Sequence, residues 1–129
     1  MKKTIALLAL LFAVPALSAD PEPRHVKVPL VPNGDSGISG FVQITQLPKG
    51  GSNIHVIARG LQPGTEYASF YYESNNCTEP ADLLGNLTMD STGTGQIEGK
   101  IDDDLDEVGS VSIRLGPDYG TLLACAKVH

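Results

Sequence analysis

The chain has 129 residues, 41% of them hydrophobic, and a formal net charge of −6. That length holds one domain, and the acidic balance excludes a surface that binds nucleic acid or anionic lipid through charge. Beyond the first twenty residues no stretch approaches the ~20 consecutive apolar residues a membrane-spanning helix needs, so membrane insertion is not expected.

The first nineteen residues read MKKTIALLALLFAVPALSA: two lysines, an apolar run from Ile5 to Val14, then Pro15 and the small residues Ala16, Ser18 and Ala19. This is the pattern of a cleavable secretory signal peptide, with a run too short to span a bilayer. The mature chain is expected to start near Asp20, in a bacterial periplasm or the medium. No cysteine follows the apolar run, so no lipoprotein anchor is expected. Loss of Lys2 and Lys3 leaves seven basic against fifteen acidic residues, a net charge of −8.

A proline-rich lead, DPEPR, opens the segment 20–36, which also contains a first strand candidate, VKVPLV. Pro29 lacks an N–H to donate, so an edge position is expected for that strand. The remainder of the domain runs over 37–129. In GISGFVQITQL, Ile38, Val42 and Ile44 alternate with Phe41, Gln43 and Thr45; in SNIHVIARGL, Ile54, Val56 and Ala58 alternate with His55, Ile57 and Arg59. Both have the period of two that marks a strand with one buried face. PKGGSN and LQPGTE supply the intervening turns.

Further strand candidates are EYASFYYE, LLGNLTM, GQIEGKI, GSVSIRL and TLLACAKV. Eight short strands separated by turn signals predict an all-β, antiparallel barrel or sandwich. Four of the seven aromatic residues, Tyr67, Phe70, Tyr71 and Tyr72, fall in the fourth candidate. They lie just before Cys77, one of only two cysteines. An exported pair in an oxidising compartment predicts a Cys77–Cys125 disulfide. Closing a loop of about 49 residues should stabilise the fold by roughly 4 kcal/mol. The alternative, a metal or redox pair, lacks the short spacing of a Cys-x-x-Cys motif.

Other candidate chemistry is sparse. The acidic run IDDDLDEVG, residues 101–109, does not match a calcium loop: counted from Asp102, the positions that need glycine and glutamate hold Glu107 and Ile113. A solvated turn is expected there, with an adventitious cation site as the alternative. His25, His55 and His129 are expected as surface residues. The G-x-G at 93–95 lies in a polar turn without a following helix. Asn76 and Asn86 match the glycosylation pattern, as chance matches in a bacterial context.

Several fragments, in one order, resemble the copper/zinc superoxide dismutases: SGISGFVQITQ, GLQPGTE, an aromatic strand leading to Cys77, LLGNLTMDSTG, VGSVSIRLGPDYG and LLACAKV. The resemblance spans about residues 37–128 and is most specific at LGNLT and LACAKV. It implies an eight-stranded Greek-key β-barrel whose disulfide ties the loop after the fourth strand to the last strand, where Cys77 and Cys125 stand.

The same resemblance implies copper and zinc as cofactors, held by six histidines and an aspartate, but the chain has three histidines in all. Aligned from GLQPG, the family's His-x-His pair falls on Ser69 and Tyr71, with Phe70 between them expected to face the core; a slide by one residue selects Phe70 and Tyr72. The zinc-ligand aspartate is matched by Leu83, a later histidine by about Leu115 and the active-site arginine by Leu122. The zinc and electrostatic loops are shortened to 78–82 and GPDYG. Ser69, Tyr71, Leu83, Leu115 and Leu122 are therefore expected to form the face of a degenerate former metal site, with no catalytic, cofactor or metal residue retained.

The expectation that follows is an exported, non-catalytic binding or structural protein, with a protein partner or a second copy of itself as the occupant of that face. The alternative is a residual superoxide dismutase or copper-binding protein with an atypical site, built where His25, His55 and His129 converge or across a dimer interface. A structural protein with no small ligand is the third reading.

Overall fold

The computed structural model describes residues 24–129; the signal peptide expected over 1–19 lies outside the described residues. Nine strands follow in order: β1 (His25–Pro32), β2 (Ser39–Gln46), β3 (Ser52–Arg59), β4 (Tyr67–Tyr72), β5 (Ala81–Asn86), β6 (Thr88–Met89), β7 (Gly95–Ile101), β8 (Ser110–Leu115) and β9 (Thr121–Lys127). All pair antiparallel, in the spatial order β5-β4-β8-β9-β1-β2-β3-β7-β6. The crossings β3→β4 and β7→β8 set β7 beside β3 and β8 beside β4, as Greek-key connections do.

The expected count of eight strands becomes nine because LLGNLTM divides at Leu87. Its first part pairs with β4 as β5 and its last with β7 as β6. Between them the Leu87 N–H donates to the Tyr67 carbonyl at 3.0 Å, and the Leu87 side chain packs against the core. The chain thus passes from one edge of the sheet to the other, and β5 lies against β7 to leave a nearly closed barrel. Gly85 permits the approach: a Cβ there would stand 2.5 Å from Ile97 Cδ1, on a backbone with φ of +149°.

β1 is not a simple edge strand. Through Leu30 it pairs with β2, and then Val31 and Pro32 pair with Cys125 and Ala124 of β9. It therefore joins the two halves, and Pro29 falls in the stretch paired on one side only, where its missing N–H costs no ladder bond.

The alternation read from the sequence fills the interior. Val42, Ile44, Ile54, Val56 and Ala58 have no exposed surface, nor do Val111, Ile113, Ala124 and Ala126 opposite them. Each buried Val, Ile or Leu contributes about 1.5–3 kcal/mol relative to exposure. The acidic run is more than a solvated turn. A short 3-10 turn at Leu105–Glu107 presses the buried Leu105 onto the core, and the buried Val108 follows it. Gln46 pins this cap: its amide accepts from the Leu105 N–H at 2.8 Å and donates to Asp104 Oδ1 at 2.9 Å.

Candidate functional site

The outer face of the half β1-β2-β3-β7 mixes polar and apolar rows, with Pro29, Phe41, Ile57 and Gln96 in register in one of them. Another register row across the same strands reads Lys27, Gln43, His55, Glu98, polar throughout. Across β5-β4-β8-β9-β1 the corresponding row reads Leu83, Phe70, Ser112, Cys125, Val31. Its two ends, Leu83 at 58% and Val31 at 55%, are the exposed large hydrophobic residues of the described chain. The exposed apolar area at each end is of the kind a binding surface buries.

The middle of that row is roofed by the segments 73–80 and 116–120. Cys77 and Cys125 are bonded, with S–S of 2.06 Å and Cα–Cα of 6.1 Å, so the first roof is covalently attached to β9. Beneath it lies a buried polar cluster. The Tyr72 hydroxyl bonds Ser112 Oγ at 2.7 Å, the Cys77 N–H donates to Ser110 Oγ at 2.9 Å, and Ser110 Oγ donates to the Ser74 carbonyl at 2.7 Å. Arg114 joins both roofs: its Nε donates to the Tyr72 hydroxyl at 2.9 Å, and its terminal nitrogens donate to the carbonyls of Tyr119 at 3.2 Å and Cys77 at 3.4 Å. Every buried polar atom of the cluster is thereby partnered, as low-dielectric surroundings demand.

The second roof carries Tyr119, whose ring meets Phe70 edge-on at 5.5 Å between centroids. Its hydroxyl donates to Glu66 at 2.6 Å, and Asn86 Oδ1 lies 3.3 Å from the same oxygen. The bond to Glu66 is the main cause of a raised Tyr119 pKa. Phe70, Tyr119 and Leu83 thus form an apolar flank beside β5, rimmed by Glu66.

The residues expected to share one degenerate face are divided between two. Ser69 and Tyr71 pair with Ile113 and Val111, and Leu115 pairs with Tyr67; all three point to the barrel interior. Leu83 and Leu122 lie outside. Phe70, expected in the core, lies on the outer face with Ala68 and Tyr72. The parity of β4 is set by Tyr67, which is buried in the core and accepts the Gln62 N–H at 2.9 Å. Ser69 Oγ is buried without a hydrogen-bond partner. Burial, and then the carboxylates of Asp82, Asp103 and Asp102, raise the pKa of Tyr71.

The three histidines do not converge. His25 and His55 occupy different rows of the other half, and His55 pairs with Gln96 at 3.0 Å. His129 Nε2 lies 3.0 Å from the Leu105 carbonyl. Among the described residues no three His, Cys, Asp or Glu side chains are grouped to hold a metal ion, and no helix is long and apolar enough to cross a membrane.

Sequence reasoning did not select Ser110, Ser112, Arg114 and Tyr119. A signal existed in SVSIRL, where Ser110, Ser112 and Arg114 recur at one parity of a strand whose other parity is Val111, Ile113 and Leu115. The chain matches no protein-family model, and no curated protein is significantly similar to it.

Proposed function

We propose that this chain is an exported, non-catalytic binding protein of the copper/zinc superoxide dismutase type, docking a protein partner through the Leu83–Phe70–Tyr119 flank. The observation that carries the reading is Leu83: 58% exposed, on the outer face, and in register with an aromatic side chain. Beside the Phe70 and Tyr119 rings it adds apolar area that an interface would bury. Export to the periplasm or medium is supported by the signal-like start and by a disulfide, which an oxidising compartment preserves.

The copper and zinc that the resemblance implies find no donor set here. The matched positions hold a serine turned inward, a tyrosine and three leucines, and thioether-free aliphatic side chains offer a metal nothing. No catalytic step through either metal follows.

A photo-crosslinking residue at position 83 tests the docking surface in the exporting cell, with position 98 in the polar row of the other half as control. A discrete adduct from position 83, lost when Phe70 is changed to Asp, is expected. The same adducts from position 98, or none from position 83, would remove the basis for this surface. Size exclusion of the purified chain distinguishes a second copy from a different protein.

A further inference from the structure

The opposite end of the apolar row is a separate site, independent of the reading above. Val31, Leu122 and Cys125 floor a groove of about 370 Å³ between β1, β9 and the disulfide-bonded segment. This lies within the roughly 300–1,000 Å³ of small-ligand sites. Val31 is 55% exposed and pairs with Cys125, so the floor is apolar and open to solvent.

The rim is polar but almost uncharged. Asn33 donates its side-chain amide to the Leu122 carbonyl at 3.1 Å, which fixes one wall to β9. Asn76 Oδ1 accepts the Thr78 hydroxyl at 2.7 Å. That bond orients the amide and leaves its NH2 as a donor without a partner among the described residues. Lys127 is the one ionised side chain lining the groove. Among the described residues it makes no salt bridge; the ion pair present is Arg24–Asp106.

We propose that this groove binds a short- to medium-chain aliphatic monocarboxylate, with the alkyl chain on Val31, Leu122 and Cys125 and the carboxylate at Lys127 and the Asn76 amide. The charge selects the occupant. On a chain whose formal net charge is −6, an unpaired lysine in a groove that also holds the Asn76 amide complements one negative group, and an apolar floor complements a hydrocarbon body rather than a sugar or a polyanion. The apolar contact supplies affinity, and Lys127 supplies orientation and preference for the acid.

The test uses the disulfide-intact chain and sodium octanoate below its micellar concentration, read by amide chemical shifts in two-dimensional NMR, with 1-octanol as the uncharged comparison. Saturable shifts centred on Val31, Asn76, Leu122 and Lys127 are expected, with a dissociation constant in the millimolar range or tighter. An exposed ion pair of the usual strength makes octanol about threefold weaker and Lys127→Gln about threefold weaker for octanoate. Val31→Asp, at a half-exposed position, should abolish the shifts while the fold persists. Absence of saturable shifts would overturn the proposal. So would equal binding of octanol and octanoate, shifts centred on Leu83 and Phe70, or dimerisation of the free chain through the groove.

Discussion

Arg114 Nε donates to the Tyr72 hydroxyl at 2.9 Å, and the same guanidinium reaches the carbonyls of Cys77 and Tyr119. Those are the two non-glycine residues at positive φ among the described residues, at +59° and +60°. Left-handed backbone at such residues costs of order 1–3 kcal/mol each and persists only where neighbours impose it. One side chain on β8 thus holds both roofs over the outer face. Arg114→Leu should lower stability by about 2–3 kcal/mol, the loss of charge-assisted bonds together with an unpaired Tyr72 hydroxyl. Urea unfolding measures this, and amide exchange should accelerate at 73–80 and 116–120 before the core. Arg114→Lys should not restore it, since an ammonium cannot reach three acceptors in a planar fork.

The disulfide joins Cys77 and Cys125, 48 positions apart in sequence, so its removal frees a long loop in the unfolded chain. Reduction, or Cys125→Ser, should lower unfolding stability by about 2–4 kcal/mol. Unchanged denaturant midpoints for the oxidised and reduced forms would show that the bond does not constrain the unfolded chain.

Ser69 Oγ is buried between β5 and β8 with no partner. A buried hydroxyl without a bond costs about 1–3 kcal/mol, so Ser69→Ala should raise stability by about 1 kcal/mol in thermal or urea unfolding. A loss of similar size would mean that the hydroxyl is satisfied in solution.

The carboxylates at the capped end of the barrel oppose one another. Burial, and then Glu107, Asp82, Glu73 and Asp102, raise the pKa of Asp103. A raised folded value means that its contribution is favourable below the unfolded pKa and is lost as pH rises through the folded value. Asp90 and Asp104 are lowered, the first by the Thr92 hydroxyl and the second by the Gln46 amide; their contributions hold above the unfolded pKa and fade as pH falls through the folded values. Asp103→Asn should therefore raise the unfolding midpoint at neutral pH and lose that advantage near about pH 3. An advantage that grows toward low pH would contradict the sign.

The strands were legible where one face is buried and the other wet. Ile38, Val42, Ile44, Ile54 and Val56 recur at one parity of their segments, and all five are buried. β4 was legible as a strand but not in its orientation, because the interior covers Tyr67, Ser69 and Tyr71 while the two roofs cover Ala68, Phe70 and Tyr72. A period of two cannot tell two covered faces apart. The ninth strand stayed hidden because β6 has two residues, and its separation from β5 rests on Leu87 turning inward, a tertiary event. The Cys77–Cys125 bond was readable from compartment and count alone. Arg114 was not, since its partners, the Tyr72 hydroxyl and the carbonyls of Cys77 and Tyr119, are brought together only by the tertiary fold.

The central claim, a barrel of this type that binds without metal chemistry, meets its most direct test in the purified, disulfide-intact chain. The chain is loaded with copper and zinc, dialysed, and measured for bound metal and superoxide dismutation together. Metal well below one ion per chain and dismutation at the background rate are expected. One copper per chain with dismutation above background would contradict the claim.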